Sequence, residues 1–199
     1  MADDRTQVQD FFSARAADWD SRFPDDGPAF AVAVGELGLR PGGAVLDAGC
    51  GTGRALAALR AAVGPGGTVL GADLTPAMLD AARRVGKAAG GTLLLADAAR
   101  LPLRAGSLDA VFAAGLISHL PHPGQGLSEL ARVVRPGGRL ALFHPIGRAA
   151  LAARHGRVLS DDDLRAEPRL TPLLADAGWR LDTYTDEDSR FLALAVRTG

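Results

Sequence analysis

The chain has 199 residues, 47% hydrophobic and 23% charged, with 22 basic against 23 acidic side chains and a formal charge of −1. This length suffices for one α/β domain with a full core, and the even charge balance leaves no electrostatic footprint for nucleic acid. No apolar run reaches the length of a membrane span; Met1-Ala2-Asp3-Asp4-Arg5 lacks the parts of a signal peptide, and the single cysteine, Cys50, permits no internal disulfide, so the expected compartment is the cytoplasm.

Residues 5 to 20 read as a helix with Val8, Phe11, Phe12 and Trp19 as its apolar positions. A second helix spans about 28 to 38, opened by Pro28 and closed at Gly38. Arg40-Pro41-Gly42-Gly43 is a turn before the first strand. That strand runs into Val45-Leu46-Asp47-Ala48-Gly49-Cys50-Gly51-Thr52-Gly53, where glycines at alternate positions are followed at once by a helical pattern reaching Val63. A strand, a tight turn and a helix start present free N–H groups to an anionic or polar ligand. Thr68 to Ala72 is a second strand ending at Asp73. Thr75 caps a helix with Pro76 in its first turn, reaching about Ala89. Thr92 to Ala96 and Leu108 to Ala113 are further strands. A helix from about Gly124 to Val134 is ended by Arg135-Pro136-Gly137-Gly138, and Arg139 to Phe143 is a fifth strand that closes at His144. Ser160 reads as a helix N-cap before Asp161-Asp162-Asp163, and a short helix spans about 171 to 177. Trp179 to Thr185 and Phe191 to Arg197, joined by an acidic link, read as a hairpin.

Strands alternating with helices predict an α/β fold with a doubly wound, Rossmann-like, seven-stranded sheet, mostly parallel with an antiparallel C-terminal hairpin strand. Residues 1–199 are expected to form one domain, with 1–40 as a helical cap and 146–178 as a substrate-side segment. Ligands of such sheets bind beyond the carboxyl ends of the strands. Those ends carry Asp47 to Gly53, Asp73, Asp97, Ala114-Gly115 and His144. An acid placed like Asp73, at the end of the second strand, can accept hydrogen bonds from both hydroxyls of a ribose. A nicotinamide-binding oxidoreductase uses an acid this way too, but its fingerprint requires glycine where this chain has Arg54.

The stretches Val45 to Gly53, Gly71 to Leu79, Leu95-Ala96-Asp97-Ala98, Leu101-Pro102-Leu103, Ser107 to Val111 and Glu129 to Gly138 occur in one order and spacing. Together they resemble the class I S-adenosylmethionine-dependent methyltransferases, above all the small-molecule enzymes of the ubiquinone-biosynthesis type. The resemblance implies S-adenosylmethionine as cofactor. It assigns Gly49, Gly51 and Gly53 to the cofactor's amino-acid arm, Asp47 to its ammonium, Asp73 to the ribose, and Leu74 and Met78 to the faces of the adenine. Asp97 and the Ala98 N–H would read the adenine edge, and Ala114 and Gly115 would pass the sulfonium. Asp97 also fits a plain helix cap and Met78 a core position; Trp19 fits either a closure over the cofactor or a hydrophobic anchor. Asp109 reads as local structure.

Methyl transfer needs a general base only for an un-ionised hydroxyl or a protonated amine. His119 and His144 are the catalytic candidates, and either also fits a satisfied, half-buried histidine. Arg148, Arg154, His155 and Arg157 are candidates for binding an acceptor's carboxylate or phosphate, or a solvated face. No metal-ligand spacing is present. The expected partner is a small-molecule methyl acceptor, with no nucleic acid and no membrane. The alternatives are a nicotinamide-dependent oxidoreductase and a non-catalytic S-adenosylmethionine-binding protein.

Overall fold

The computed structural model describes residues 2–22, 26–84, 90–160 and 162–199. Seven strands form one sheet in the order β3-β2-β1-β4-β5-β7-β6. They are β1 (Ala44–Ala48), β2 (Thr68–Asp73), β3 (Thr92–Leu95), β4 (Leu108–Ala114), β5 (Val134–His144), β6 (Trp179–Glu187) and β7 (Arg190–Arg197). Strands β1 to β5 pair in parallel, whereas β7 runs antiparallel to both β5 and β6. The fold is the mixed α/β sheet that the alternation of elements predicts.

The central strands are covered on both faces, which explains their continuous apolar runs. Because side chains alternate across a strand, neighbours enter different cores. Leu46, Val111 and Leu142 pack with Leu127, Leu130 and Trp179. Val45, Phe112 and Phe143 pack on the other face with Phe30, Leu37, Leu56 and Leu59. The first face carries α6 (Pro123–Val133) and α8 (Glu167–Asp176); the second carries α3 (Gly27–Glu36) and α4 (Leu56–Val63). The Trp179 indole donates to Leu127 O at 2.9 Å, which satisfies its one polar atom within the core.

Strand order reverses at β1. The chain proceeds outward through β2 and β3, then returns to lay β4 on the other side of β1. The crevice at the carboxyl ends of β1 and β4 is therefore the topological switch point.

Several elements differ from the sequence reading. The N-terminal helix is two pieces, α1 (Ala2–Ser13) and α2 (Trp19–Arg22). Tight i→i−3 bonds from Arg15 and Ala16 turn the chain between them, bringing Trp19 edge-on to Phe12 at 5.4 Å. Helix α4 starts at Leu56, because residues 51 to 55 are spent on the turn. Helix α5 (Pro76–Arg84) begins as expected, but its expected extension to Ala89 lies outside the described residues. Arg135-Pro136-Gly137-Gly138 does not separate helix from strand. Val134 already has extended dihedrals and pairs with Leu108, while the next β4 pair is Ala110 with Arg139, so these four residues bulge out within β5. Ser160 starts no helix: its Oγ accepts from the Asp162 N–H in a local turn, and α8 begins at Glu167. The segment before it instead holds α7 (Arg148–Arg154).

Candidate active site

A cavity of about 840 Å³ opens at the switch point. Its wall includes Asp47, Gly49, Gly51, Asp73, Leu74, Met78, Asp97, Ala98, Ala114, Gly115, His119, His144 and Trp19. Of the candidate positions only Gly53 is off the wall; its φ of +82° and its N–H bond to Cys50 O shape the turn from behind.

Strand ends set the acids. Asp47 closes β1 with 2% of its surface exposed, and no described group donates a hydrogen bond to it. Burial, with the neighbouring Asp73 carboxylate adding to it, pushes Asp47 up to about 8. Asp73 is raised by burial as well, opposed by the bonds it accepts from Thr75 and Gly51. Its Oδ1 takes the Thr75 N–H and its Oδ2 the Gly51 N–H, both at 2.8 Å. Asp73 thus fastens the glycine turn to the end of β2, with the Thr75 hydroxyl also on its carboxylate. Gly51 has φ +52° and Gly115 φ +67°, and a Cβ at either would meet no other atom within 4 Å. The backbone is bare there towards open space, as close approach by a ligand requires.

Asp97 opens a local turn with no helix after it and also faces the cavity. Its Oδ1 accepts from the Ala99 N–H at 2.8 Å in a local turn, and its buried Oδ2 lies 2.9 Å from the Arg5 guanidinium. Met78 is likewise both core and wall.

The cap is fastened across this edge by contacts that the sequence reading missed. Gln9 Nε2 donates to Leu74 O at 2.7 Å, and Thr52 Oγ1 to Asp20 Oδ1 at 2.7 Å. Arg54 donates to Asp26 at 3.1 Å, its guanidinium lying 5.1 Å from the Phe30 ring. The acidic residues of a helical cap opposite a loop carrying Thr52 and Arg54 were the available signal, but they do not fix the pairing.

On the other side of the cavity, His119 ends a 3-10 turn, its ring edge-on to Phe12 at 5.0 Å. Burial, and secondarily Arg165, lowers its pKa. His144 ends β5. Its Nδ1 lies 2.8 Å from Ile146 O and 3.1 Å from Ile146 N, so the tautomer decides whether it donates or accepts there. Burial lowers its pKa too, partly offset by the Ile146 bond. In both imidazoles burial favours the neutral form, the form that can accept a proton.

Arg148 is 8% exposed and already neutralised. It lies 3.3 Å from Asp163 and 3.2 Å from Asp186, and its own N–H donates to Asp186 at 2.8 Å. It joins α7 to the hairpin and the loop before α8; it is not a free anion binder. Asp109 is structural, accepting from the Ala44 N–H and from Arg135 at 2.7 Å each. Among the described residues no group of acids, histidines or cysteine could hold a metal ion, and no helix is long and apolar enough to cross a membrane.

Residues 46–142 match the family model described as a methyltransferase domain. Over that stretch the chain is similar to methyltransferase domains, and the fold is that of class I S-adenosylmethionine-dependent methyltransferases. The family match and the shared fold favour the methyltransferase reading over the nicotinamide one. The methyltransferase GfsG of Streptomyces halstedii is 39% identical over 117 residues, covering 58% of this chain and 42% of that protein. A SAM-dependent methyltransferase from Aquifex aeolicus is 26% identical with a TM-score of 0.67, over 83% of this chain and 87% of that one. The magnesium protoporphyrin IX methyltransferase of Synechocystis, solved with bound SAH, shares the fold at a TM-score of 0.74 and 22% identity, over 98% of this chain and 100% of that one. The chain spans less than half the length of the curated relatives it matches.

Proposed function

We propose that this domain, read as one unit over residues 1–199, transfers a methyl group to a small-molecule acceptor by direct displacement. The observation that carries the reading is Asp47: a buried, unpartnered carboxylate beside a second acid, on the wall of a cavity with bare backbone at Gly51 and Gly115. Such a pair calls for a cation, and the bare backbone admits it. When bound, S-adenosylmethionine supplies a methyl group on a sulfonium that is already activated for displacement.

The chain's own residues then bind, orient and shield. Asp47 meets the ammonium, and Gly49 and Gly51 line the amino-acid arm. Asp73 meets the ribose hydroxyls while holding the Gly51 turn in place. Leu74 and Met78 flank the adenine, with Asp97 and Ala98 at its edge; engagement by Asp97 competes with its contact to Arg5. Ala114 and Gly115 leave room beside the reacting carbon, and Trp19 with Phe12 closes the cap over it and excludes water. His144 or His119, its neutral form favoured by burial, takes the acceptor's proton where one must leave. Residues 146–178 border the acceptor side. The spelling of the motifs supports a relative of the ubiquinone-biosynthesis type. Calorimetry decides the central point: S-adenosylmethionine and its demethylated product bind and NAD does not. Preference for NAD would overturn the reading.

A further inference from the structure

The cavity wall carries Asp47, Asp73 and Asp97 from the strand ends and, from the segment after β5, Arg148, Arg154, Arg157 and Arg165. The buried Arg148 and the half-buried Arg165 are compensated: Arg148 by Asp163 and Asp186, and Arg165 by Asp163 at 2.9 Å. Asp162 is taken by Arg169. Among the described residues Arg154 and Arg157 have no carboxylate within ion-pair distance, and Arg157 has a hydrogen bond with the His155 ring, 3.2 Å away. Val158, Leu159 and Leu164 line the same cavity with their side chains exposed, Val158 at 93%. Exposed apolar side chains clustered on a cavity rim mark a binding surface, and guanidinium groups without a carboxylate partner are suited to bidentate recognition of an oxyanion.

We infer that the methyl acceptor is an amphipathic anion, an apolar body carrying a carboxylate or a phosphate, whose oxyanion docks on Arg154 and Arg157 while its body lies on Val158, Leu159 and Leu164. The charges beside His144 act with mixed sign: Arg165 and Arg154 disfavour its protonation, and Asp26 favours it. The inference rests on the methyltransferase reading above, because it assigns the part of the cavity lined by the segment after β5 to the acceptor.

The test compares 2-naphthoate, 2-naphthyl phosphate and the neutral 2-naphthamide as probes by calorimetry, on the full chain with and without saturating S-adenosylhomocysteine. At least one anion should bind at least about tenfold more tightly than the amide at low salt, with the advantage shrinking as salt rises. The ratio between the two anions distinguishes a phosphate-bearing from a carboxylate-bearing acceptor. The double substitution Arg154→Ala, Arg157→Ala, on exposed positions, should erase the preference and leave S-adenosylhomocysteine affinity unchanged. Equal binding of amide and anions, no binding of any probe at millimolar concentration, or a preference that survives the double substitution would overturn the inference. Failure of S-adenosylhomocysteine to bind the unsubstituted chain would instead overturn the methyltransferase reading and, with it, the anion's role as methyl acceptor, while the charge comparison would still report whether Arg154 and Arg157 bind an anion.

Discussion

Replacing Asp47 by asparagine should make the ligand-free protein more stable and the enzyme worse. An unfolded aspartate releases its proton near pH 4; in the fold, burial and Asp73 push Asp47 up to about 8. Between those values the folded state holds a proton that the unfolded state has lost, so stability falls as pH rises through that window. At pH 7 the difference is roughly three units at 1.36 kcal/mol each, or about 4 kcal/mol. Asparagine keeps the shape and has no charge to bury, so Asp47→Asn should gain about that amount at pH 7 and nothing at pH 4. The ligand reverses the balance, because its ammonium needs the ionised carboxylate. S-adenosylhomocysteine affinity of the unsubstituted protein should therefore rise with pH towards 8, with one proton released on binding below that value. In the variant the rise should vanish and affinity at pH 8 fall by about ten- to a hundredfold, the loss of one charge-assisted bond. Denaturant titrations from pH 4 to 8.5 and calorimetry in buffers of different ionisation enthalpy measure both halves. A variant that gains no stability at pH 7, or a pH-independent affinity in the unsubstituted chain, would refute the reasoning.

Asp73→Ala should weaken cofactor binding at least about tenfold by calorimetry; because it also frees the Gly51 N–H, amide exchange in the glycine turn should quicken. Arg148→Ala should cost about 3 kcal/mol in denaturant unfolding, since it leaves Asp186 without its cation and Asp163 with Arg165 alone; an unchanged midpoint would show that the network contributes nothing. If His144 takes the acceptor's proton, turnover of the unsubstituted enzyme should fall on acidification below the ordinary histidine range, as burial holds its pKa down. His144→Ala should then lower kcat by roughly 10²–10⁴-fold and remove that limb, whereas a change confined to acceptor KM would assign it to the pocket wall.

The sheet was legible because its strands are buried on both faces and bounded by glycine turns, so apolar run length and punctuation carry the information. The strand-end acids were legible for the same reason: once the strands are placed, topology puts Asp47, Asp73 and Asp97 on one edge. Boundaries failed where backbone geometry, rather than composition, decides. Arg135-Pro136-Gly137-Gly138 has the composition of a turn between elements, but pairing of Val134 with Leu108 before the bulge makes it part of β5. Ser160 has the composition of a helix cap, yet its hydroxyl bonds two residues on and no helix follows. Composition records what a residue tolerates, and several structures tolerate the same residues.

The two halves of the cavity differ in how far sequence can reach. The cofactor half is built from backbone and from side chains at strand ends, where one spacing implies one place. The acceptor half depends on which charges remain after the fold has paired the others. Arg148, Arg154 and Arg157 look alike in the sequence, and only Arg148 meets an acid 38 residues away on β6. That pairing converts one candidate anion binder into a strut between α7 and the hairpin. It leaves Arg154 and Arg157 as the uncompensated cations of the rim, and it makes the charge of the acceptor, rather than its name, the property that this structure reaches.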